Sequence, residues 1–125
     1  MTDELAAGTG GLAAGEGGIY RVLTPGLAPL EQQLRAAGWR VVVLPEVSRT
    51  RDLFAAVRTA LELPAWTGNN LDALWDVLTD LRAPTALVWR RYASFAVARP
   101  DRWSQILGVL EERAAQDPPF AVVLT

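Results

Sequence analysis

The hydrophobic positions of the chain fall into two kinds of run. Short apolar runs rich in β-branched residues occur at Ile19–Leu23 (IYRVL), Trp39–Pro45 (WRVVVLP), Thr85–Arg91 (TALVWRR) and Phe120–Thr125 (FAVVLT). They lack strict alternation, the pattern of strands covered on both faces, and WRVVVLP is predicted as a central strand. Between them apolar residues recur at helical spacing. Leu27, Leu30 and Leu34 form one stripe, ending at Gly38, a natural C′ position. Leu53, Phe54, Val57 and Leu61 form a second, with Thr50 as its cap and Pro64 as its stop. Trp103, Ile106, Leu107, Leu110 and Ala114 form another, capped by Asp101, ended by Pro118-Pro119 and carrying Glu111, Glu112 and Arg113 near its outer side. YASFAVA is a shorter helix candidate, and Trp39, Trp89 and Trp103 are assigned to the core. Short apolar strands separated by helices predict an α/β fold with right-handed βα crossovers and a mostly parallel sheet.

Residues 1–18 are rich in Gly and Ala, show no periodicity, and are predicted to form a flexible leader before one domain over 19–125. Gly8, Gly10 and Ala13 match a loose G-x-G-x-x-[GA] string, but no strand precedes it and no helix is predicted after it, so a nucleotide loop is set aside. The leader has neither a basic start nor an apolar core of signal-peptide length, and no run reaches the ~18 apolar residues of a membrane span. A cytoplasmic protein is expected.

The most informative stretch is Leu63–Leu81, LPAWTGNNLDALWDVLTDL. Pro64 closes the preceding helix, Trp66-Thr67-Gly68 makes a turn, and Asn69 or Asn70 can cap a helix running to about Leu81. Leu71, Leu74, Leu78 and Leu81 share one face with Val77 at its edge, Asp72, Asp76 and Asp80 share the opposite side, and Trp75 lies on the border. One carboxylate near a helix start is favourable, but the effect fades within the first turn. Three like charges at i, i+4 intervals, with no Arg between Asn69 and Leu81, cost the helix about 0.2–0.5 kcal/mol per pair. Such a row is either a solvated surface or a face meant for a cationic partner, and the two flanking Trp favour the partner. Trp75 fits core and interface equally; Trp66, in a turn beside Gly68, is harder to explain as packing.

Composition narrows the chemistry. The chain has 125 residues and 50% hydrophobic content, enough for one core and too little for two. A net charge of −2 argues against a phosphate backbone as the main partner. There is no Cys and no His, which removes disulfides, thiolate sites, the commonest general base and the commonest metal ligand. No cofactor is expected. An enzyme using Asp72 and Asp76 as an acid/base pair or as Mg²⁺ ligands is the weaker alternative, because such sites draw ligands from several elements. Arg90 and Arg91 suit either an anion or a strand end emerging into water.

Together, the turn and helix LPAWTGNNLDALWDVLTDL, the strand LVWR, and the closing helix with FAVVLT resemble the barstar family, small cytoplasmic inhibitors of secreted ribonucleases. The resemblance covers roughly 39–125; its most specific part is the G-x-N-x-D-A-L-W-D string from Gly68 to Asp76. It implies a barstar-like α/β fold, a small parallel sheet with helices around it, to which residues 19–38 add an N-terminal strand and helix. It also implies a protein that is no enzyme but blocks the active site of a cognate guanyl-type ribonuclease one-to-one, through an acidic helix and the loop before it, and is monomeric when free. By position Asp76 becomes the central carboxylate, Asp72 its neighbour one turn earlier, and Trp75 sits beside them. Trp66 takes the place of a family Tyr, retaining stacking but not a phenolic hydrogen bond. Glu112, counted back from the last strand, falls on a rim carboxylate, and Leu81 stands where an aromatic occurs in the best-known member. Gly68, Asn70 and Asp80 complete the expected contact set. An immunity or regulatory protein directed at another basic nuclease or toxin domain would use the same face.

Overall fold

The computed structural model describes residues 10–23, 26–64 and 67–125. In chain order the elements are α1 (Gly10–Ala13), β1 (Gly18–Arg21), α2 (Leu27–Ala36), β2 (Arg40–Leu44), α3 (Thr50–Ala60), α4 (Leu71–Thr79), β3 (Thr85–Trp89), α5 (Ala93–Ala98), α6 (Pro100–Ala114) and β4 (Phe120–Leu124). All four strands are parallel, in the order β1-β4-β3-β2. The α/β class and the parallel sheet agree with the pattern of apolar runs, and IYRVL does supply a strand, which pairs with β4 from Gly18↔Ala121 to Arg21↔Leu124.

The period-two alternation of the strands divides the core into two clusters. Val42, Leu44, Leu87, Trp89, Phe120, Val122 and Leu124 face one way and pack with Leu53, Phe54 and Val57 of α3, Leu74 and Leu78 of α4, Phe95 of α5, and Ile106 and Leu110 of α6. Ala86, Val88, Ala121 and Val123 face the other way and pack with Leu12 of α1, Leu30 and Leu34 of α2, and Trp39. The result is three layers: α3–α6, the sheet, and α1 with α2.

The second cover is built by local chemistry at two points. Gly38, at φ +95°, ends α2: the Trp39 N–H donates to Leu34 O at 3.1 Å and the Gly38 N–H to Arg35 O at 3.0 Å, the paired bonds of a Schellman turn that only a residue at ease in the left-handed region closes without strain. That turn throws the Trp39 indole under the sheet, where its Nε1 donates to the Leu12 carbonyl at 2.8 Å. Leu12 is wholly buried. Residues 10–18, which the composition places in a leader, are thus tied to the sheet from α1 onward, and the part of the expected leader before residue 10 lies outside the described residues. The short helix at 10–13 was not predicted; four residues carry too little periodicity to show one.

Six further expectations are corrected. The run WRVVVLP forms an edge strand and not a central one; the central strands are β3 and β4, buried at every position. Apolar faces record what covers a strand above and below, and both faces of β2 are covered, but they carry no record of its hydrogen-bonding neighbours. Thr50 is the first helical residue of α3, with Arg49 at the N-cap, and Asp101 lies inside α6, which starts at Pro100 with Arg99 at the N-cap. Helix α4 stops at Thr79 with Asp80 as its C-cap, two residues before Leu81. Arg113 is 1% exposed and belongs to the interior. Trp39 and Trp89 are core as expected, whereas Trp103 is half-buried, with its ring 5.4 Å from that of Trp89 in an edge-on contact. Among the described residues no helix is long and apolar enough to cross a membrane.

Candidate functional site

Helix α4 owes its start to Asn70, whose Oδ1 accepts the Ala73 N–H at 2.8 Å. The neighbouring Asn69 is held from outside the helix by Arg58 of α3, whose Nη1 donates to Asn69 Oδ1. The two asparagines divide the work between cap and anchor. The chain reaches them from the end of α3 through Glu62 at φ +56°, a left-handed residue without the freedom of Gly, and through a turn in which Thr67 N–H donates to Pro64 O at 3.0 Å. Gly68 packs close beside the helix start: a Cβ there would lie 3.3 Å from Ala73 Cβ and 3.4 Å from Asn70 Nδ2.

The far end of α4 is satisfied by cations. Arg113, from the last turn of α6, buries its guanidinium under Leu78 and donates Nε–H to the Leu78 carbonyl at 2.7 Å; Nη1 reaches Gln116 O at 3.2 Å, and the group stands 5.5 Å from the Phe120 ring centroid. Burial pulls its pKa below the ordinary arginine value, while the nearby Asp117 charge works the other way. Arg82 donates to Thr79 O at 3.1 Å. Positive charge on the last carbonyls of a helix complements its dipole, and it offsets the unfavourable placement of Asp80 at the C-cap.

On the helix so fixed, Leu74 and Leu78 are buried and Asp72, Asp76 and Asp80 are exposed, as the spacing predicts. Among the described residues Asp72 and Asp76 take part in no ion pair, and Asp80 meets Arg82 only at 4.0 Å, with both side chains about four-fifths exposed (82% and 78%), where such a pair contributes little. Trp75 is half-buried and belongs to neither core cluster.

The structure does not gather all the expected residues into one place. Gly68, Asp76 and Asp80 line a cleft of about 370 Å³ whose other walls are Leu63, Pro64, Thr67, Ala73 and Val77. Asp72, Trp75 and Glu112 lie outside it; Glu112 is exposed on α6, next in sequence to the buried Arg113. Leu81 is 8% exposed and packs in the main core. Trp66 lies outside the described residues. The apolar part of the cleft is not legible in the sequence: Leu63 opens the informative stretch, Pro64 reads as a helix stop and Val77 as the edge of an apolar stripe, and no spacing shows that they line one cleft with Asp76 and Asp80. Arg113 is missed as well, although the spacing Ile106, Leu110, Arg113 sets the guanidinium on the buried stripe of α6.

A cleft lined both by the carboxylates of Asp76 and Asp80 and by the aliphatic carbons of Leu63, Pro64 and Val77 has the chemistry to take a long cationic side chain. Among the described residues no three His, Cys, Asp or Glu side chains come together as a metal site would need.

Residues 39–125 match the family model of barstar (barnase inhibitor), a span that takes in every element from β2 to β4 and the whole of the α4 surface. The chain belongs to the barstar family. Its members are inhibitors and not enzymes, and membership makes this chain a protein that binds and inhibits a ribonuclease.

Proposed function

We propose that this barstar-family protein docks the exposed acidic face of α4, with the loop before it, into the active site of a cognate guanyl-type ribonuclease and blocks it one-to-one. The observation that carries the reading is the row Asp72, Asp76 and Asp80, held out from the fold with two of its carboxylates unpaired and two lining one cleft. A nuclease that cleaves RNA presents cations where phosphate binds, and a rigid row of carboxylates four residues apart, about 6 Å along the helix, offers charge of the right sign. The helix is pre-organised by Asn70, Arg58, Arg113 and Arg82, so little ordering is left for binding to supply. Asp76 is the central carboxylate, flanked by Asp72, Trp75 and Asp80, and stands to be most completely desolvated; Glu112 and Asp80 belong to the rim. Trp66 stacks on the partner. The free protein is a cytoplasmic monomer that protects its own cell from the nuclease.

The test is a titration of a co-purifying or co-encoded small basic ribonuclease against the full chain. Activity should fall linearly to zero at one equivalent, and the association rate should drop steeply between low and high salt while dissociation changes less. The salt behaviour is carried over from the family's best-known complex. Inhibition that needs many equivalents, or an association rate indifferent to ionic strength, would overturn the role given to the acidic row. Tight binding to a basic nuclease of another class would keep the surface and change the target.

A further inference from the structure

The molecule carries a second charged cleft, of opposite sign, which the inhibitory reading does not use. It has a volume of about 710 Å³ and opens between the starts of α3 and α6. Its lining includes four arginines, Arg49 and Arg51 from the N-cap and first turn of α3 and Arg99 and Arg102 from the N-cap and first turn of α6, with Asp101 as the acidic residue and Gln105 as a neutral one. Fifty residues of sequence separate the two arginine pairs; the fold alone brings them together. All four are exposed, and neither of the two ion pairs among the described residues, Arg35–Glu31 and Arg82–Asp80, uses any of them. Arg102 donates to Gln105 Oε1 at 3.1 Å, which holds its fork beside the cleft. In a chain whose formal charge is −2, four cations against one carboxylate are a local excess that repels itself until an anion arrives.

The position of the cleft in the fold adds to this. Arg49 follows the carboxyl end of β2, and Arg99 follows β3 by way of α5, so the cleft lies beyond the carboxyl ends of parallel strands, where open α/β sheets take their ligands. The inhibitory cleft begins at Leu63, after α3 has run roughly 16 Å back toward the other end of the sheet, and shares no lining residue with the basic one. Both helix starts lack a side-chain cap, which leaves backbone N–H groups to support an anion held by the arginines.

We infer that this cleft binds a compact polyphosphate group, free or as the tail of a nucleotide, through Arg49, Arg51, Arg99 and Arg102. Arginine forks match phosphate oxygens in pairs, and the volume lies in the ~300–1,000 Å³ range of small-molecule sites. No aromatic side chain lines the cleft, so there is no platform on which bases of a single strand could stack, and the net negative chain disfavours a long phosphate backbone. The ligand is a short, dense anion.

The experiment is an NMR and calorimetric titration of the full chain with sodium tripolyphosphate at about 150 mM salt, with ATP in a parallel arm. Saturable one-to-one binding is expected, with amide shifts concentrated at 49–53 and 99–105. Arg49→Gln/Arg99→Gln should weaken it at least about tenfold. Arg49→Lys/Arg99→Lys should lose part of the affinity, because charge remains but the fork is gone. Arg90→Gln/Arg91→Gln, in a neighbouring cleft that shares no lining residue with this one, should leave it unchanged. Equal affinity for tripolyphosphate and ATP would assign the bare polyphosphate, and tighter ATP binding at the same amides would assign a nucleotide. Shifts that never saturate, that follow ionic strength alone, or that fall equally in the Arg90/Arg91 variant would overturn the site.

Discussion

The two faces of the sheet are covered by different parts of the chain, and the two covers present different surfaces. The α3–α6 layer is drawn entirely from the span that matches the barstar family; its inner side is core, and its outer side, on α4, is a row of carboxylates with scarcely any neutralisation. The α1/α2 layer comes from residues before that span except at Trp39, and its contribution is burial: Leu12, Leu30, Leu34 and Trp39 close over Ala86, Val88, Ala121 and Val123. One cover holds like charges at its surface, which the proposed docking would use for recognition, and the other supplies apolar area without which half of the sheet would face water. Stability and inhibition should therefore respond to different residues, and the sharpest experiments are those that try to make them move together.

The largest effect is expected from removing residues 1–38. This strips β1 from β4 and uncovers Val41, Val43, Ala86, Val88, Ala121 and Val123, an apolar patch of the kind soluble monomers avoid. The shortened chain should bind a hydrophobic dye and aggregate on mild heating. Cooperative unfolding at the midpoint of the full chain would show that the second cover is dispensable. Within that cover, Leu12→Ala should cost about 2–5 kcal/mol in urea denaturation, because the side chain is wholly enclosed, while inhibition per folded molecule stays the same. A loss of a few tenths would mean that α1 is only loosely attached.

Arg113→Met probes the one place where a buried residue serves the acidic helix directly. It removes the charge-assisted bond to Leu78 O and should lower stability by about 1.5–3 kcal/mol. Since Nη2 is itself buried without a partner, part of that loss is returned, and a neutral or stabilising result would show that the desolvation of the guanidinium outweighs its bond. Smaller again is Asn70→Ala, expected at about 1 kcal/mol for the lost cap, with fraying of the first turn of α4 visible in amide exchange. Unchanged exchange there would show that Arg58 and the Gly68 turn hold the helix start without it.

Much of this comparison could be read from the residues. The helices and strands are visible because each buries a stripe or a face, and the acidic row is visible because three aspartates at four-residue intervals share a side. What stayed hidden depends on neighbours and not on pattern. The edge position of β2 is set by which strand pairs with which, and its apolar faces are the same at an edge as in the middle. The burial of Arg113 is set by the free carbonyl of Leu78, thirty-five residues away, which no local polarity reveals. Leu12 stands among Gly and Ala, and its place is given by distant residues, Leu30, Leu34 and Trp39, whose indole also bonds the Leu12 carbonyl. The cleft at Asp76 is lined by two carboxylates and by Leu63, Pro64 and Val77, so charge spacing could find the aspartates and not the apolar residues beside them.

Asp76→Ala, measured for affinity and for stability side by side, tests the division of labour most directly. Asp76 is exposed and takes part in no ion pair among the described residues, one turn from like charges on either side, so its removal should leave the unfolding free energy unchanged or raise it by a few tenths of a kcal/mol. Against the cognate ribonuclease the same change should weaken binding by about 2–5 kcal/mol, roughly thirtyfold or more, because a desolvated cation on the partner is left without its counter-charge. A variant that unfolds easily while its folded fraction binds as tightly as the parent would make Asp76 a structural residue and contradict the account.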